Sequence, residues 1–251
     1  MQGLEQSSAE WVNPQGQSDV LLVCEHASQY IPEIFDNLGL SETERLSHIA
    51  WDIGAAGVAR ELSAELDASL VLQRYSRLLY DCNRPPGEVS AVPLVSEKTT
   101  ITGNQGLTEE QRNHRVKQIY EPFHAGIADH IRLRKAAGRR TILVTIHSFT
   151  PVFLGQVRKV QLGVISQEGN AFARSFHAMV QQLSDFDIRM NEPYGPSDPV
   201  LHLITRHGEE QQLPCVMLEL RNDLVEHVAG QKNWARLIAE VLNRLTNPDI
   251  S

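Results

Sequence analysis

The chain is poor in the features that mark disulfide-rich, nucleic-acid-binding and membrane-spanning proteins. Its 251 residues include three cysteines, and no two of them form a Cys-x-x-Cys pair. This number and spacing exclude a disulfide framework and a zinc-thiolate knuckle. Lys and Arg total 23 against 31 Asp and Glu, so the net charge is −8. Without a basic block, neither nucleic acid nor an anionic membrane is an expected partner.

Long apolar runs are also missing. No stretch approaches about 18 uninterrupted apolar residues, so the sequence predicts no membrane span. Residues 1–17 are polar and lack the basic and apolar regions of a secretory signal, which predicts a cytoplasmic location. With 41% hydrophobic and 22% charged residues, the composition is typical of a folded protein. We expect one domain over residues 1–251, with a poorly ordered extension over 1–17.

Apolar segments alternate with helical patterns along the chain. The predicted strands are 20–24, 70–72, 78–80, 141–146, 162–165, 187–190 and 216–220. The predicted helices are 54–66, 108–137, 171–183, 199–210 and 234–245. This alternation predicts an α/β fold with a mostly parallel or mixed central sheet and helices on both faces. The Pro- and Gly-rich stretch 83–106 is long for an unstructured connection, which favours a functional loop, and its part 97–106 could form a lid.

Polar side chains lie where several of these strands end. Glu25 and His26 follow the first strand, and His147 ends the strand after the long helix. Because the carboxyl ends of neighbouring parallel strands meet at one edge of a sheet, these side chains are expected to share a crevice. Two imidazoles with nearby carboxylates suit Zn²⁺, which leaves one position for water in a catalytic site.

Glu219 lies inside an apolar strand, where a carboxylate is costly unless it is paired or functional. It is either a base that takes a proton from water or the partner of Arg221 in a structural ion pair. Asn83 and Arg84 precede two prolines. They form either a simple turn or a clamp, in which the arginine grips a carboxylate and the asparagine adds a neutral amide.

Six segments carry a resemblance to a known family. They are 24–28 (CEHAS), 48–55 (HIAWDIGA), 76–85 (SRLLYDCNRP), 146–151 (IHSFTP), 191–194 (NEPY) and 218–224 (LELRNDL). In this order they resemble the N-formylglutamate amidohydrolase family, over roughly residues 18–246. The resemblance implies a phosphorylase/hydrolase-like fold of the zinc exopeptidase kind. It also implies one zinc ion and a small-molecule N-acyl amino acid substrate, with N-formyl-L-glutamate as the named example.

The resemblance assigns a role to several residues. His26 and His147 match two histidine ligands of the metal, and Glu219 matches the general base. Asn83 and Arg84 match a clamp for the substrate carboxylate.

Further residues complete the predicted site. Arg77 is expected to act in the reaction as a second cation, for an acidic side chain of the substrate. Asn191, Tyr194 and Arg221 are expected to contact the substrate.

The third metal ligand departs from the pattern of related zinc enzymes, which carry a Glu three residues after the first histidine. That position is Gln29 here, and a neutral amide is a poor zinc ligand. Asp52, which lies in one of the six segments, is the favoured replacement. Glu25 is the second choice, because adjacent residues of a strand point to opposite faces.

Two other functions compete with this interpretation. Gln29 favours a fold relative that has lost its metal and binds a small anion or a partner protein without hydrolysis. Cys24 beside His26 suggests a thiol nucleophile, although a cysteine at the end of an apolar run is more often buried and inert.

Overall fold

A mixed sheet forms the centre of the protein in the computed structural model, which describes residue 4 and residues 6–246. The strands are β1 (Ala9–Val12), β2 (Val20–Cys24), β3 (Ser69–Gln73), β4 (Val95–Ser96), β5 (Thr99–Thr100), β6 (Ile142–Phe149), β7 (Val152–Phe153), β8 (Gln156–Val157), β9 (Leu162–Ile165), β10 (Ile188–Met190) and β11 (Cys215–Arg221). β4 pairs with β5, and β7 with β8, as two short hairpins outside the main sheet.

The helices are α1 (Glu42–Leu46), α2 (Ala55–Leu66), α3 (Glu109–Arg115), α4 (Glu121–Ala136), α5 (Ala171–Leu183), α6 (His202–Ile204) and α7 (Val228–Thr246). A π-helical segment, Val116–Tyr120, joins α3 to α4, and a second one, Thr205–Glu209, continues α6. α1 and α3 begin with the capping boxes that Ser41 and Thr108 form with Glu44 and Gln111. None of the described helices is long and apolar enough to span a membrane.

The strand order across the main sheet is β1-β3-β2-β6-β11-β9-β10. Neighbouring strands are parallel except at the β1–β3 and β11–β9 pairs, which are antiparallel. The predicted mixed α/β sheet is therefore confirmed. Its central strands β2, β6 and β11 are buried almost throughout, as continuous apolar runs predict for strands covered on both faces.

Two apolar cores lie on the two faces of the sheet. One packs α2, α5 and α7 against the strands through residues such as Val58, Phe176 and Ile238. The other includes Phe123 and Ile127 from α4. The expected helices on both faces are thus present. The loops that carry polar side chains emerge between these layers at the carboxyl ends of β2, β6 and β11.

The expected disorder of residues 1–17 is wrong for the residues that form β1, and its residues 1–3 and 5 lie outside the described part of the chain. Ala9–Val12 adds an antiparallel edge strand to β3. Its Trp11 stacks on His130, with 4.8 Å between ring centroids, and Glu10 pairs with Arg60 on α2. Four residues with a charge among them carry little strand signal, so the edge depends on contacts that sequence patterns do not contain.

The expected strand at 78–80 is a turn. The Ser76 carbonyl accepts hydrogen bonds from the backbone N–H groups of Leu79 and Tyr80, and the Ser76 hydroxyl accepts one from Leu78. All three residues are buried, and a buried apolar run has the same pattern in a turn as in a short strand. The helix expected at 199–210 begins only at His202, where α6 starts.

Candidate active site

Three neighbouring strands bring histidine and glutamate side chains to one edge of the sheet. β2 and β6 are parallel, and β6 and β11 are parallel with Glu219 opposite His147. His26 follows β2 by two residues. The imidazole rings of His26 and His147 meet edge to face, with centroids 4.9 Å apart. The expected crevice is therefore formed by the ends of β2, β6 and β11.

Asp52 reaches the same place from the loop before α2. Its backbone N–H donates to the His26 carbonyl at 2.9 Å, and its Oδ2 accepts from the backbone N–H of Ser148 at 3.2 Å. Gly54, which precedes α2, has a φ of +80°, and a Cβ there would clash with the Val225 carbonyl. Glycine thus permits the tight entry into α2 that points Asp52 at the two histidines.

Each histidine lies between two carboxylates. Asp52 Oδ2 lies 2.9 Å from Nδ1 of His147 and 3.4 Å from Nδ1 of His26. On the far side of each ring, Nε2 of His26 lies 2.8 Å from Asp81 Oδ1. Nε2 of His147 lies 3.0 Å from Glu25 Oε2, within ion-pair distance but outside hydrogen-bond geometry. Both rings therefore turn Nδ1 toward Asp52.

This arrangement fits a divalent metal ion. Buried ligand atoms of His26, Asp52 and His147 lie within 4.8 Å of one another, and two imidazoles with one carboxylate are a zinc donor set. If each Nε2–H is held by Asp81 or Glu25, both Nδ1 lone pairs are free for a metal, a pattern typical of histidine ligands. Gln29 is not among the residues that line the site.

Electrostatics at the site favour added positive charge. Burial lowers the pKa of His26 and Arg77 opposes its protonation as well, but Asp81 and Asp52 outweigh both and raise it overall. For His147, burial is again outweighed, here by Glu25 and Asp52, and the pKa lies well above its ordinary value. The surrounding carboxylates thus stabilise a cation between the two rings, which is the charge that a metal ion would supply.

Glu219 is a buried carboxylate beside this group. Its side chain lines the cavity, and its Oε2 has no hydrogen-bond partner among the described residues. Burial raises its pKa to about 7, against the opposing effect of His147. A carboxylate that titrates near neutrality can both accept and return a proton.

The alternative ion pair between Glu219 and Arg221 does not form. The Arg221 guanidinium donates to Asp223 at 2.8 Å and to the Lys159 carbonyl at 2.9 Å, and Arg221 does not line the cavity. Its expected contact with substrate therefore has no support in the structure.

Arg77 is occupied by carboxylates rather than free for substrate. Its Nη2 lies 2.9 Å from Asp81 Oδ2, and its Nη1 lies 3.4 Å from Asp52 Oδ1. It lines the cavity, as expected. However, its charge already balances the carboxylates that surround His26. This pairing argues against the expected role of Arg77 as a cation for an acidic substrate side chain.

The Asn83–Arg84 pair lies in the same cavity, but the two residues differ in what they can offer. The Asn83 amide donates to the Val200 carbonyl at 2.6 Å and accepts from the Leu203 N–H at 3.0 Å, so it fixes the start of α6. Arg84 is 8% exposed. Its Nη1 donates to the Asn83 carbonyl, and its Nε has no partner among the described residues. Arg84 is therefore the better candidate for holding a substrate carboxylate.

The cavity has a volume of about 280 Å³. Of the expected substrate contacts, Tyr194 lines it, whereas Asn191 turns its Oδ1 to the Ser166 N–H at 3.0 Å. Lining residues that the sequence did not single out as site residues are His48, Ile49, Val95, Ser96, Glu97, Ser148, Phe149, Thr150, Phe153 and Val200. Several lie in the quoted segments or in the loop 83–106, and these two signals could have identified them.

Cys24 does not have the properties of a nucleophile. Its side chain is fully buried. Burial, together with the nearby Asp52 and Glu25 carboxylates, raises the pKa of its thiol well above the ordinary value. A thiol held in its protonated form is a poor nucleophile, so this alternative is rejected.

A second histidine cluster supports the loop that carries Arg84. His124 Nδ1 lies 2.7 Å from His207 Nε2, and His124 Nε2 lies 2.8 Å from the carbonyl of Cys82. Both histidines are buried, and they come from α4 and from the π-helical segment Thr205–Glu209. The cluster was missed because histidines 83 residues apart give no local pattern.

This second cluster should make the protein less stable in acid. Burial, with Arg206 and His202 nearby, lowers the pKa of His207 to about 3. Burial and His207 lower that of His124 well below 6.5. Below pH ~6.5 the unfolded chain binds protons that the folded protein excludes. The folded state should therefore lose up to about 1.4 kcal/mol per pH unit for each such group, until the folded pKa is reached.

Urea unfolding between pH 7.5 and 4.5 measures this effect. His207→Gln should reduce the pH dependence relative to the wild-type chain, while His177→Gln, on α5, serves as the control. An unchanged pH dependence in the His207 variant would contradict the assignment. Using the difference between variants removes the opposite contribution of His26 and His147, whose raised pKa values stabilise the folded state in acid.

A cavity that combines a potential metal site with a buried, unpartnered carboxylate, at the carboxyl edge of a mixed α/β sheet, is typical of hydrolases. The comparison with known families also gives a hydrolase, and it identifies the family. The model of the N-formylglutamate amidohydrolase family matches residues 18–226, and the chain belongs to this family. The resemblance drawn from the six segments is thereby confirmed.

Two solved structures resemble the protein over nearly its whole length. A gene product of Agrobacterium tumefaciens is 42% identical with a TM-score of 0.92, and the match covers 97% of this chain and 98% of that one. An N-formylglutamate amidohydrolase from Ralstonia eutropha is 15% identical with a TM-score of 0.71 and the same coverage. At this low identity, the match to the Ralstonia eutropha protein shows a shared fold. Among proteins of curated function, none matches this chain in sequence.

Proposed function

We propose that this chain is a metal-dependent amidohydrolase, formed by a single domain, that cleaves the amide bond of a small N-acyl amino acid. The observation that carries the proposal is one cavity in which His26, Asp52 and His147 cluster within 4.8 Å beside the unpartnered Oε2 of Glu219. N-formyl-L-glutamate, after which the family is named, would give formate and L-glutamate. The three cysteines are free thiols, which supports a cytoplasmic location.

The proposed metal ligands are His26, Asp52 and His147, with zinc as the favoured ion. When bound, zinc polarises a carbonyl oxygen and lowers the pKa of water. The hydrogen bond between Asp81 and Nε2 of His26 fixes that ring and its tautomer, while Glu25 lies only at ion-pair distance from Nε2 of His147. Glu25, placed behind His147, is a less suitable ligand than Asp52.

Glu219 is the proposed general base. Its carboxylate takes a proton from the water that attacks the acyl carbon, and it gives that proton to the amine nitrogen as the C–N bond breaks. A pKa of about 7 suits both transfers. Arg84 holds the carboxylate of the amino acid through a charge-assisted contact. Arg77 is a positioning residue, since it binds Asp52 and Asp81.

Formate release tests the proposal. Purified protein loaded with zinc should release formate from a set of N-formyl amino acids that includes N-formyl-L-glutamate. Treatment with a chelator should abolish the release, and added zinc should restore it. A folded protein that binds no zinc and releases no formate would instead favour the competing function, a fold relative that binds a small anion without hydrolysis.

A further inference from the structure

The hydroxyl of Tyr194 has a hydrogen that is not used inside the protein. Tyr194 lines the cavity, and Nη1 of Arg158 donates to its hydroxyl oxygen at 3.1 Å. A guanidinium has donors only, so the tyrosine oxygen is the acceptor in this contact. The phenolic hydrogen points elsewhere, and it has no acceptor among the described residues. Tyr194 can therefore donate a hydrogen bond to a bound ligand.

The sheet places the turn that carries Tyr194 beside Glu219. Glu219 on β11 lies opposite Gly163 on β9 in an antiparallel pair, and opposite residues of such a pair point to the same side of the sheet. A Cβ on Gly163 would clash with the carbonyl oxygen of Glu192. Glu192 therefore lies on the side of the sheet to which the Glu219 side chain points. Tyr194 follows it by two residues.

Hydrogen bonds fix this turn on both sides of Tyr194. Before it, the Asn191 side chain accepts from the backbone N–H of Ser166 at 3.0 Å. After it, the backbone N–H of Gly195 donates to the Asp198 carboxylate at 2.8 Å. The tyrosine ring thus projects from a turn that is held at both ends, as a catalytic group requires.

Arg158 fixes the Tyr194 side chain itself. Its guanidinium lies 5.0 Å from the centroid of the Tyr194 ring and 4.6 Å from that of Phe153, which favours a fixed position through cation–π attraction. Arg158 has no ion-pair partner in the described part of the chain. Two roles are therefore open to it: it orients the Tyr194 hydroxyl, or it binds a carboxylate of the substrate.

Electrostatics keep the Tyr194 hydroxyl protonated. Burial raises its pKa above the ordinary value, and the Glu219 carboxylate acts in the same direction, against the opposing effects of Arg158 and Arg77. A phenol with a raised pKa is neutral at pH 7 and remains a hydrogen-bond donor. The effect of Glu219 on this pKa agrees with the closeness that the strand pairing implies.

Other polar side chains of the cavity already use their hydrogens. The hydroxyls of Ser148 and Thr150 and the amide of Asn83 donate to backbone carbonyl oxygens at 2.7, 2.9 and 2.6 Å. Ser96 also has a hydroxyl at the cavity, but it lies on the β4–β5 hairpin, outside the main sheet. Tyr194 therefore has a free donor that Ser148, Thr150 and Asn83 lack.

We propose that Tyr194 is a further catalytic residue, whose hydroxyl donates a hydrogen bond to the acyl oxygen of the substrate, and that Arg158 is the positioning residue that orients this hydroxyl. The inference rests on the proposed amidohydrolase function and adds a residue to the same site. The acyl group is the part of the substrate that reacts beside Glu219, which is why the acyl oxygen is the acceptor.

The hydrogen bond acts on the charge that forms during the reaction. When water attacks the acyl carbon, one electron pair of the C=O bond moves onto the acyl oxygen, which becomes negative. The bond from Tyr194 strengthens as this charge forms, so it stabilises the transition state more than the substrate. The phenolic proton stays on Tyr194, while Glu219 carries the proton of the water to the amine nitrogen. The C=O bond re-forms as the C–N bond breaks.

Tyr194→Phe tests the donor, because it removes the hydroxyl and keeps the ring beside Arg158. In the zinc-loaded protein, kcat for N-formyl-L-glutamate should fall by about 100-fold, a typical cost of one lost donor to an oxyanion. KM, zinc content and thermal unfolding should change little, since the interaction forms only in the transition state. Tyr30→Phe is the control: Tyr30 is 48% exposed and does not line the cavity.

Two results of this comparison would overturn the catalytic role. The first is a Tyr194→Phe variant with near wild-type kcat. The second is a raised KM with unchanged kcat, which would show that the hydroxyl binds substrate and transition state equally.

A double-mutant cycle tests the role of Arg158. Arg158→Met should lower kcat by about 10–100-fold in the wild-type background, the range for a hydrogen bond from a charged group. It should have no further effect on kcat in the Tyr194→Phe background, and Arg158→Lys should recover part of the loss. An equal rise in KM in both backgrounds would show that Arg158 binds a substrate carboxylate, and it would overturn the positioning role.

Binding without turnover separates this inference from the proposed function. The ligands are L-glutamate and an analogue of N-formyl-L-glutamate in which a tetrahedral, anionic phosphinate replaces the formyl amide group. Calorimetry should show that Tyr194→Phe weakens binding of the phosphinate by about 100-fold and leaves that of L-glutamate unchanged.

The two measurements together distinguish the possible failures. Formate release by the wild-type protein, with a phosphinate affinity that does not depend on Tyr194, would overturn the donor role alone. A wild-type protein that releases no formate, yet binds the phosphinate through Tyr194, would overturn the amidohydrolase function and support the donor role.

Discussion

Glu219→Gln should keep the fold and the metal site and lose turnover by roughly 10²–10⁴-fold. The amide has nearly the same shape as the carboxylate but cannot accept the proton of the attacking water. Stability should change little, because burial already disfavours the ionised form of Glu219 and Arg221 is paired elsewhere. Formate release, thermal unfolding and zinc content are measured on the same preparation.

Glu240→Gln is the matched control for this variant. Glu240 lies on α7 and pairs with Arg244 at the surface, so its loss should leave formate release unchanged. A Glu219→Gln protein that melts early and keeps near-normal kcat per folded molecule would remove Glu219 from the mechanism. It would indicate a structural role for the buried carboxylate instead.

Asp52→Asn should weaken zinc binding by more than about 100-fold, since changes behind the ligands alone cost about 10–100-fold. The substitution removes the anionic donor between the two Nδ1 atoms. It also weakens the acceptor of the Ser148 N–H and the partner of Arg77. Zinc affinity is measured against a competing chelator, and formate release at limiting zinc should fall in proportion.

Asp129→Asn, which breaks a surface pair with Arg132, is the control for the Asp52 variant. Unchanged zinc affinity in Asp52→Asn would refute Asp52 as a ligand. Glu25→Gln, compared in the same titration, then distinguishes the two carboxylates: a larger loss for Glu25→Gln would identify Glu25 as the third ligand.

The strands that frame the site were predictable because their apolar runs are long and end in polar groups. The family followed from six segments that contain both histidines, Asp52, the Asn83–Arg84 pair and Glu219. The edge strand Ala9–Val12 was not predictable, because an edge depends on pairing with β3 rather than on its own composition.

The electrostatic partners in the site were equally hidden from the sequence. Arg77 looks like a free cation in the chain, and only the folded structure pairs it with Asp52 and Asp81. In the same way, the sequence offered Glu25 only as an alternative ligand and gave Asp81 no role, and only the folded structure places each of them against the Nε2 atom of a histidine. The contact between the β4–β5 and β7–β8 hairpins was also hidden, because the Leu154 N–H and the Glu97 carboxylate that it joins are 57 positions apart in the sequence.

The reversal between β11 and β9 has a consequence for engineering. Because β9 runs antiparallel to β11 and β11 runs parallel to β6, β6 ends and β9 begins at the same edge of the sheet. The segment 150–161 therefore leaves and re-enters the fold beside the cavity, without crossing the sheet, and it carries Phe153 and Arg158. We therefore expect that changes to its length and side chains alter the cavity, which Thr150 and Phe153 line, without altering the pairing of β6, β11 and β9.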